Sequence, residues 1–410
     1  MNQFLSPQLP IPSPLIVSEE GSFAYYTFTN RLPVIIEKVI AENNFSPSVV
    51  EKLTRLDKEL LEGLVSYIDD EGPDIKAWGD YLQPFLGKPL IDTPFYFAET
   101  YFYRRLLETT EYFTSKTESK IDPFELQKQR GLEKVGNSIR KVSRELESLN
   151  NIYSERDNQW QQALRNLLYI NLWGNRTDLS LRPTAAGEFE HQELDTNLEQ
   201  NRVILDDTEL ITDKISNFQN NRLDFIADNS GFELVSDLFV IDFLLTSNAA
   251  EVVYIHLKSH PVFVSDATIK DVHFTLDFLV NDSEPKVKDL GIRLQRYQAS
   301  GRLVLIDDFF WTSPLFFWEM PDSLRQDLSQ SDLVFIKGDA NYRRLVGDCH
   351  WSKNSYFNDI VCYFPSAFTV LRTLKSEVIV GLTQSQENDL NNQDSQWLTN
   401  GSWGLIQFAE

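Results

Sequence analysis

Oxygen-bearing and basic side chains recur where apolar runs of this chain stop. The run "RLDFIADNSGFELVSDLF" (222–239) passes from Leu, Phe and Ile into Asp228, Asn229, Ser230 and Gly231, where a helical pattern begins. Alone, that tetrapeptide reads as a turn and helix cap, because Asp, Asn, Ser and Gly make both. The same change of chemistry returns downstream. "EVVYIHLK" (251–258) leads into "SHPVFVSDATIKDV" with Asp266 and Asp271, and "GRLVLIDDF" (301–309) ends in Asp307 and Asp308. "SDLVFIKGD" (331–339) leads into Lys337, Asp339, Asn341, Arg343 and Arg344, and "LRTLK", with Arg372 and Lys375, precedes a fifth run, "SEVIVGL" (376–382). Asp228, Asn229 and Asp266 offer only oxygen, the hard donor set that suits Mg2+ or Mn2+. Lys337, Arg343, Arg344, Arg372 and Lys375 make the most positive stretch of the second half. Together these groups describe a phosphate between a metal and basic side chains. Plainer readings compete: Asp307 and Asp308 can equally cap a helix, and Arg343 with Arg344 can equally lie on a solvated face. The adjacent Cys349 and His350 read as packing rather than a dyad, since neighbours in sequence seldom face each other.

These residues need a scaffold that brings strand ends together. The five runs alternate with helical patterns, and their near-continuous Val, Ile, Leu and Phe indicates strands covered on both faces. The expected fold is α/β: a mostly parallel, Rossmann-like sheet with helices on both faces, whose ligands sit beyond the carboxyl ends of the strands. The first part of the chain reads as helical, with apolar periodicity over 31–45 and a helix from 46 to 68 capped by Ser46 with Pro47 at its first position. Leu132, Val135, Ile139, Val142, Leu146 and Leu149 form one stripe of a long helix, interrupted by Gly136. A polar, acidic stretch over 180–220 marks the boundary, giving an N-terminal helical domain (1–180) and an α/β metal-binding domain (181–410). The Asn/Gln-rich "TQSQENDLNNQDSQWLTNG" (383–401) reads as a surface loop.

Composition removes several function classes. With 38 Lys+Arg against 61 Asp+Glu the net charge is −23, which repels phosphate backbones and anionic lipid surfaces, so neither nucleic acid nor membrane is an expected partner. No apolar run reaches the roughly 18 residues of a membrane span, and "MNQFLSPQLPIPSPLIVSEE" lacks the pattern of a signal peptide, so the expected location is cytoplasmic. Two cysteines are too few for a disulfide framework or a thiolate zinc site.

In combination the motifs are familiar. "ADNSGFEL", "PVFVSDAT", "KGDANYRRLVGD" and "LRTLK" closely resemble the damage-control phosphatase family, in the branch marked by an RTxK motif, one member of which is called an acidic residue methyltransferase. The resemblance extends to "GSFAYYTFTNRLPVII" (21–36), "FAETYFYRRLLE" (97–108) and "NLWGNRTDLSL" (171–181), and so covers nearly the whole chain. It implies a metal-dependent phosphatase acting on small phosphorylated metabolites, with fructose 1-phosphate and fructose 6-phosphate as typical substrates and Mg2+ or Mn2+, alternatively Co2+ or Ni2+, as cofactor. Carried over position by position, it implies metal ligands at Asp228, Asn229 and Asp266. The substrate-binding segment falls on Asp339, Ala340, Asn341, Tyr342 and Arg343, with Ala340 acting through its backbone. The RTxK motif falls on Arg372, Thr373, Leu374 and Lys375.

The residue types then suggest a mechanism in which Lys375 offsets charge in the transition state and Asp339 orients the attacking water or holds sugar hydroxyls. Attack by Asp228 itself is the alternative; Asn229-Ser230 in place of a DxD pairing favours the water route. A competing function, S-adenosylmethionine-dependent protein-glutamate O-methylation, would ordinarily need a glycine-rich turn after the first strand, where this chain has only Gly231. The helical part, through Glu99, Tyr103 and Arg104, is expected either to cover the crevice or simply to pack.

Overall fold

Apolar runs of the second half pair side by side into one seven-stranded sheet in the computed structural model, which describes residues 4–114, 121–148, 156–174 and 201–410. In chain order the strands are β1 (Val203–Asp206), β2 (Asn221–Ile226), β3 (Ala250–Lys258), β4 (Leu303–Asp308), β5 (Leu333–Lys337), β6 (Phe368–Thr373) and β7 (Gly404–Ala409), arranged β1-β7-β6-β5-β2-β3-β4. Every neighbouring pair is parallel except β6 and β7. From β2 the chain builds outward through β3 and β4, then returns to place β5 on the other side of β2. That reversal makes the β2–β5 gap the switch point of the sheet, where an open α/β fold leaves a crevice for ligands.

Alternating side chains of the central strands feed two cores. Leu223, Phe225, Leu333 and Phe335 join the buried cluster that includes the helices Asn158–Trp173 and Phe232–Thr246. Ile226, Val334 and Ile336 join the other cluster, together with Phe28, Leu56, Tyr101 and Phe102 of the helical first part. Ser46 caps the helix Pro47–Glu62 by accepting from the Val49 N–H, as its sequence position implies. The apolar stripe from Leu132 to Val142 is buried on two helices, Glu125–Lys134 and Gly136–Ser148, which break at Val135. Leu149, much of the 180–220 boundary and residues 175–181 of the third outlying motif lie outside the described residues.

Two expectations are corrected. "SEVIVGL" is buried and apolar but is not a strand; the strand that follows β5 lies upstream of it, in β6 (Phe368–Thr373). Its backbone groups are satisfied elsewhere: the Val378 carbonyl by Arg372, the Val380 N–H by the Tyr342 hydroxyl, the Val380 carbonyl by Gln407 and the Gly381 N–H by the Ser355 carbonyl. Apolar periodicity reports burial, not which partner takes the backbone hydrogen bonds. The Asn/Gln-rich segment contains the helix Gln384–Gln393, started by a Thr383–Gln386 capping box.

A buried ion-pair network crosses the sheet. Arg222 donates to both carboxylate oxygens of Asp224 at 2.9 Å and to Asp327 at 3.1 and 2.9 Å, while His256 Nε2 lies 2.8 Å from Asp224. Burial alone would raise the Asp224 carboxyl, but His256 and Arg222 outweigh it and hold it below the ordinary carboxylate range. A folded value below the unfolded one contributes stability that is complete above the unfolded value of about 3.9 and is lost as pH falls through the folded one. Asp224→Ala, which leaves His256 without its carboxylate and Arg222 with Asp327 alone, should cost about 1–3 kcal/mol in urea unfolding at neutral pH and flatten the acid limb of the stability profile. A loss below about 1 kcal/mol would show the network to be dispensable.

Candidate active site

The loop after β2 is stitched to the loop after β3, and this backbone pairing collects the oxygen donors. Ala227 N–H donates to the His256 carbonyl (3.1 Å), Ala267 N–H to the Asp228 carbonyl (2.8 Å) and Ser230 N–H to the Ser265 carbonyl (2.7 Å). Asn229 and Asp266 form an antiparallel bridge. Gly231, at φ +72°, then turns the chain into the helix Phe232–Thr246. The Asn229 amide donates to Asp228 Oδ2 and to Glu233 Oε2, each at 2.8 Å, and its own oxygen accepts from the Ser265 hydroxyl (2.6 Å). Lys258 Nζ lies 3.2 Å from Asp266 Oδ2. Just before Asp266 the loop passes through Phe263 (φ +49°) and Val264 (φ +68°). Left-handed backbone is costly for a β-branched residue, on the order of 1–3 kcal/mol, so the surrounding packing must impose it.

Across the switch point β5 hands directly to the helix Gly338–Val346. Gly338 has φ +82°, and a Cβ there would fall 1.8 Å from Asp228 Oδ2 and 2.3 Å from its Cγ. The helix therefore begins in contact with the Asp228 carboxylate, and Asp339 and Ala340 of its first turn line the crevice. Asp339 Oδ1 accepts from Arg372 Nε (2.8 Å), from the Lys375 N–H (3.1 Å) and from the Ser376 hydroxyl (3.1 Å). Burial works against its charge, but Arg372 and Arg343 with these donors hold the Asp339 carboxyl below the ordinary range.

One cavity gathers Asp228, Asn229, Asp266, Asp339, Ala340, Arg343 and Lys375, closed by Phe23, Arg31, Glu99 and Phe263. Other residues expected there stand behind it. Arg372 donates to Asp339, Ser376 and Val378 and lies over the Tyr342 ring at 4.2 Å. Asn341 donates to the Ala227 carbonyl (3.2 Å) and the Lys337 carbonyl (2.8 Å), tying the end of β2 to the end of β5. Tyr342 accepts from the Val380 N–H, and burial pushes its phenol up to about 12.

Several sequence candidates leave the site altogether. Lys337 is paired with Asp237 (2.8 Å) and Glu233 (3.3 Å). Arg344 is buried among Phe310, Trp311 and Phe317 and donates to three backbone carbonyls, so its charge does not face a ligand. Asp308 accepts from the Phe310 N–H and, like Asp307, is exposed. Asp271 closes a capping box with Thr268 and pairs with Lys128. Cys349 is buried, its thiol pushed up to about 12 by that burial, while His350 is exposed and pairs with Glu19. In the helical part Glu99 reaches the cavity and binds Arg343 at 2.7 Å; Tyr103 packs on Phe263, and Arg104 is held by Asp70 and Asp74.

The residue types lining the cavity fit a hard divalent cation: Asp228 and Asp266 bring carboxylates and Asn229 a side-chain amide. Among the described residues a second group, Asp224, His256 and Asp327, also brings ligand atoms within 4.8 Å of one another. Arg222 donates to both of its carboxylates and already supplies the positive charge a metal would bring. Gly338 is not among the sequence candidates, although a glycine between a strand and a charged helix start is a signal for close approach. Nothing in residue spacing singles out Arg31 or Phe23.

Gly338→Ala should displace the Asp228 carboxylate and weaken Mn2+ affinity at least tenfold in calorimetric titration, with far-UV circular dichroism unchanged, since misplacement on the order of 1 Å is enough to disable such a site. Wild-type affinity in this variant would remove Asp228 from the metal set.

The sequence profile of the damage-control phosphatase ARMT1-like domain matches residues 27–390. Three similar relatives are each named damage-control phosphatase ARMT1: the Danio rerio protein is 31% identical with 97% of each chain covered, the Bos taurus protein 32% with 97% of this chain and 98% of the other, and the Homo sapiens protein 30% with the same coverage. A crystal structure of a DUF89 family protein from Pyrococcus horikoshii superposes with a TM-score of 0.45 at 14% identity, over 86% of this chain and 90% of the other. With the profile spanning most of its length and relatives about a third identical from end to end, this chain belongs to the damage-control phosphatase family, in its ARMT1-like group.

Proposed function

We propose that this protein is a metal-dependent phosphatase of small phosphorylated metabolites, with sugar phosphates such as fructose 1-phosphate and fructose 6-phosphate as its substrates. The observation that carries this reading is the shared cavity: the oxygen donors Asp228, Asn229 and Asp266 face the same space as Lys375, Arg343 and the first turn of the Gly338–Val346 helix. A divalent cation held by the three donors supplies Lewis acidity toward the phosphoryl group and the attacking water. The chain does the rest. Lys375, whose backbone is fixed by Asp339, offsets negative charge on the phosphoryl oxygens, and the helix start offers the Asp339 and Ala340 N–H groups to the same oxygens.

Asp339 is a poor base near neutral pH because its neighbours hold it ionised, but for the same reason it is a constant acceptor for a water or a sugar hydroxyl. Asn341 and Arg372 act through the backbone. Asn341 sets the width of the β2–β5 gap, and Arg372 fixes the turn that presents Lys375. Metal, phosphate cradle and acidic acceptor all have a task in ester hydrolysis; methyl transfer to carboxylates gives the metal donors none.

Turnover of p-nitrophenyl phosphate and of fructose 1-phosphate should vanish on chelation and return with Mn2+ or Mg2+, and incubation with S-adenosylmethionine and acidic protein should give no methyl ester. Undiminished hydrolysis after chelation contradicts the metal role. Lys375→Ala should lower kcat by about 10²-fold on every ester, since all share the phosphoryl group it faces. A loss confined to sugar phosphates would instead place Lys375 on the leaving group.

A further inference from the structure

Among the described residues, Glu99 is the one carboxylate that the helical part brings to the cavity. It is only 3% exposed, and taking a carboxylate out of water is costly unless a partner or a task offsets it. Its partner is Arg343, whose Nη1 donates to Glu99 Oε2 at 2.7 Å. Arg343 does not need this bond for neutrality, because its Nε and Nη2 already donate to the two oxygens of Asp348, at 2.9 and 2.8 Å. One guanidinium stands between two carboxylates, so the three groups together keep a negative charge. Nor does the tie between the walls use both oxygens of Glu99. Among the described residues the bond from Arg343 is the one hydrogen bond to this carboxylate, which leaves Oε1 to the cavity that Glu99 lines.

The carboxylate is also held in place. It projects from the helix Phe95–Thr109, and the guanidinium it binds lies over the rings of Phe95 at 4.2 Å and Tyr96 at 5.1 Å. Phe23, Arg31 and Phe263 complete this side of the cavity. Both phenylalanines are fixed by other rings: Phe23 meets Phe95 edge-on at 6.3 Å, and Phe263 packs on Tyr96 at 6.0 Å and on Tyr103 at 5.0 Å. The strand-end side, with Asp228, Asn229, Asp266 and Lys375, differs in kind. A phosphate ester whose phosphoryl group lies among those residues must turn its alcohol half toward Glu99 and the two rings. Aromatic faces accept a carbon skeleton, and a fixed carboxylate oxygen accepts a hydroxyl more strongly than a neutral amide would.

Resting on the phosphatase reading above, we propose that Glu99 is a specificity-determining residue whose Oε1 accepts a hydroxyl of the leaving alcohol, so that the site selects phosphate esters of polyols over those of plain alcohols. The tie to Arg343 could be made by an amide oxygen alone. Glu99→Gln separates the two tasks: it keeps an oxygen for Arg343 and turns the atom facing the substrate from an acceptor into a donor.

The test uses the metal-loaded full chain with fructose 1-phosphate and n-butyl phosphate, two primary phosphate esters of which only the first carries hydroxyls on its leaving group. Wild type should favour fructose 1-phosphate by about tenfold or more in kcat/KM, the usual weight of a hydrogen bond to a charged group. Glu99→Gln should cut that ratio by about tenfold, mainly through KM, since a hydroxyl bond made in the ground state persists into the transition state. A role confined to the Arg343 tie would lower both esters alike and leave the ratio where it was. A ratio in Glu99→Gln within about twofold of wild type therefore overturns the proposal. So does a wild-type chain that takes n-butyl phosphate as readily as fructose 1-phosphate, a result that needs no variant to fold. A wild-type chain inactive on every ester with Mn2+ present instead defeats the phosphatase reading itself.

Discussion

The contact between Gly338 and the Asp228 carboxylate is the constraint on which the active-site architecture depends. Strand β5 ends and its helix begins so close to Asp228 that a single methyl group at position 338 has nowhere to go. Because β2 and β5 are neighbours at the switch point, their ends must meet there, and the only adjustable quantity is how near the two loops come. Asn341 sets that distance by donating to a carbonyl on each side. Asp228 and Asn229, just beyond β2, and Asp339 and Ala340, in the first turn of the helix after β5, can then line one cavity rather than two.

Closing the crevice creates an electrostatic problem, because Asp228, Asp266, Glu99, Glu233 and Asp237 are all buried around it. Each buried charge would cost several kcal/mol if left alone. The chain answers with buried cations: Lys258 beside Asp266, Lys337 between Glu233 and Asp237, Arg343 between Glu99 and Asp348 and Arg372 on Asp339. Most of the basic residues near the site therefore serve carboxylates, not the ligand. The Arg343–Glu99 pair has a second consequence, since it joins the α/β part to the Phe95–Thr109 helix and so brings Phe23 and Arg31 over the cavity.

Sequence was informative where burial and periodicity coincide and silent where the question is which atom meets which. β2, β3, β4 and β5 are readable because they are covered on both faces, and their polar ends follow from that. "SEVIVGL" looks the same by composition, but Arg372, Tyr342, Gln407 and Ser355 take its backbone bonds, and no local pattern reveals partners between 6 and 38 residues away. Asp228, Asn229, Asp266, Asp339 and Lys375 stand near the ends of apolar runs in the sequence and line one cavity in the fold. Lys337, Asn341, Arg344 and Arg372 were equally visible, yet their targets are carboxylates and carbonyls that only the fold brings near. Arg31 lay beyond reach because it comes to the cavity on a π-helical turn that no residue pattern announces.

The claim that metal donors and phosphate cradle act on one cavity is open to direct measurement through the 31P relaxation of inorganic phosphate in the presence of Mn2+. Bound phosphate next to a paramagnetic ion relaxes fast, so titrating phosphate into the Mn2+-loaded protein should broaden the 31P line strongly, and the broadening should disappear in Asp228→Ala at equal total Mn2+. A sharp 31P line from phosphate that is demonstrably bound while Mn2+ is also bound would show that the two ligands occupy separate places, and would contradict the account.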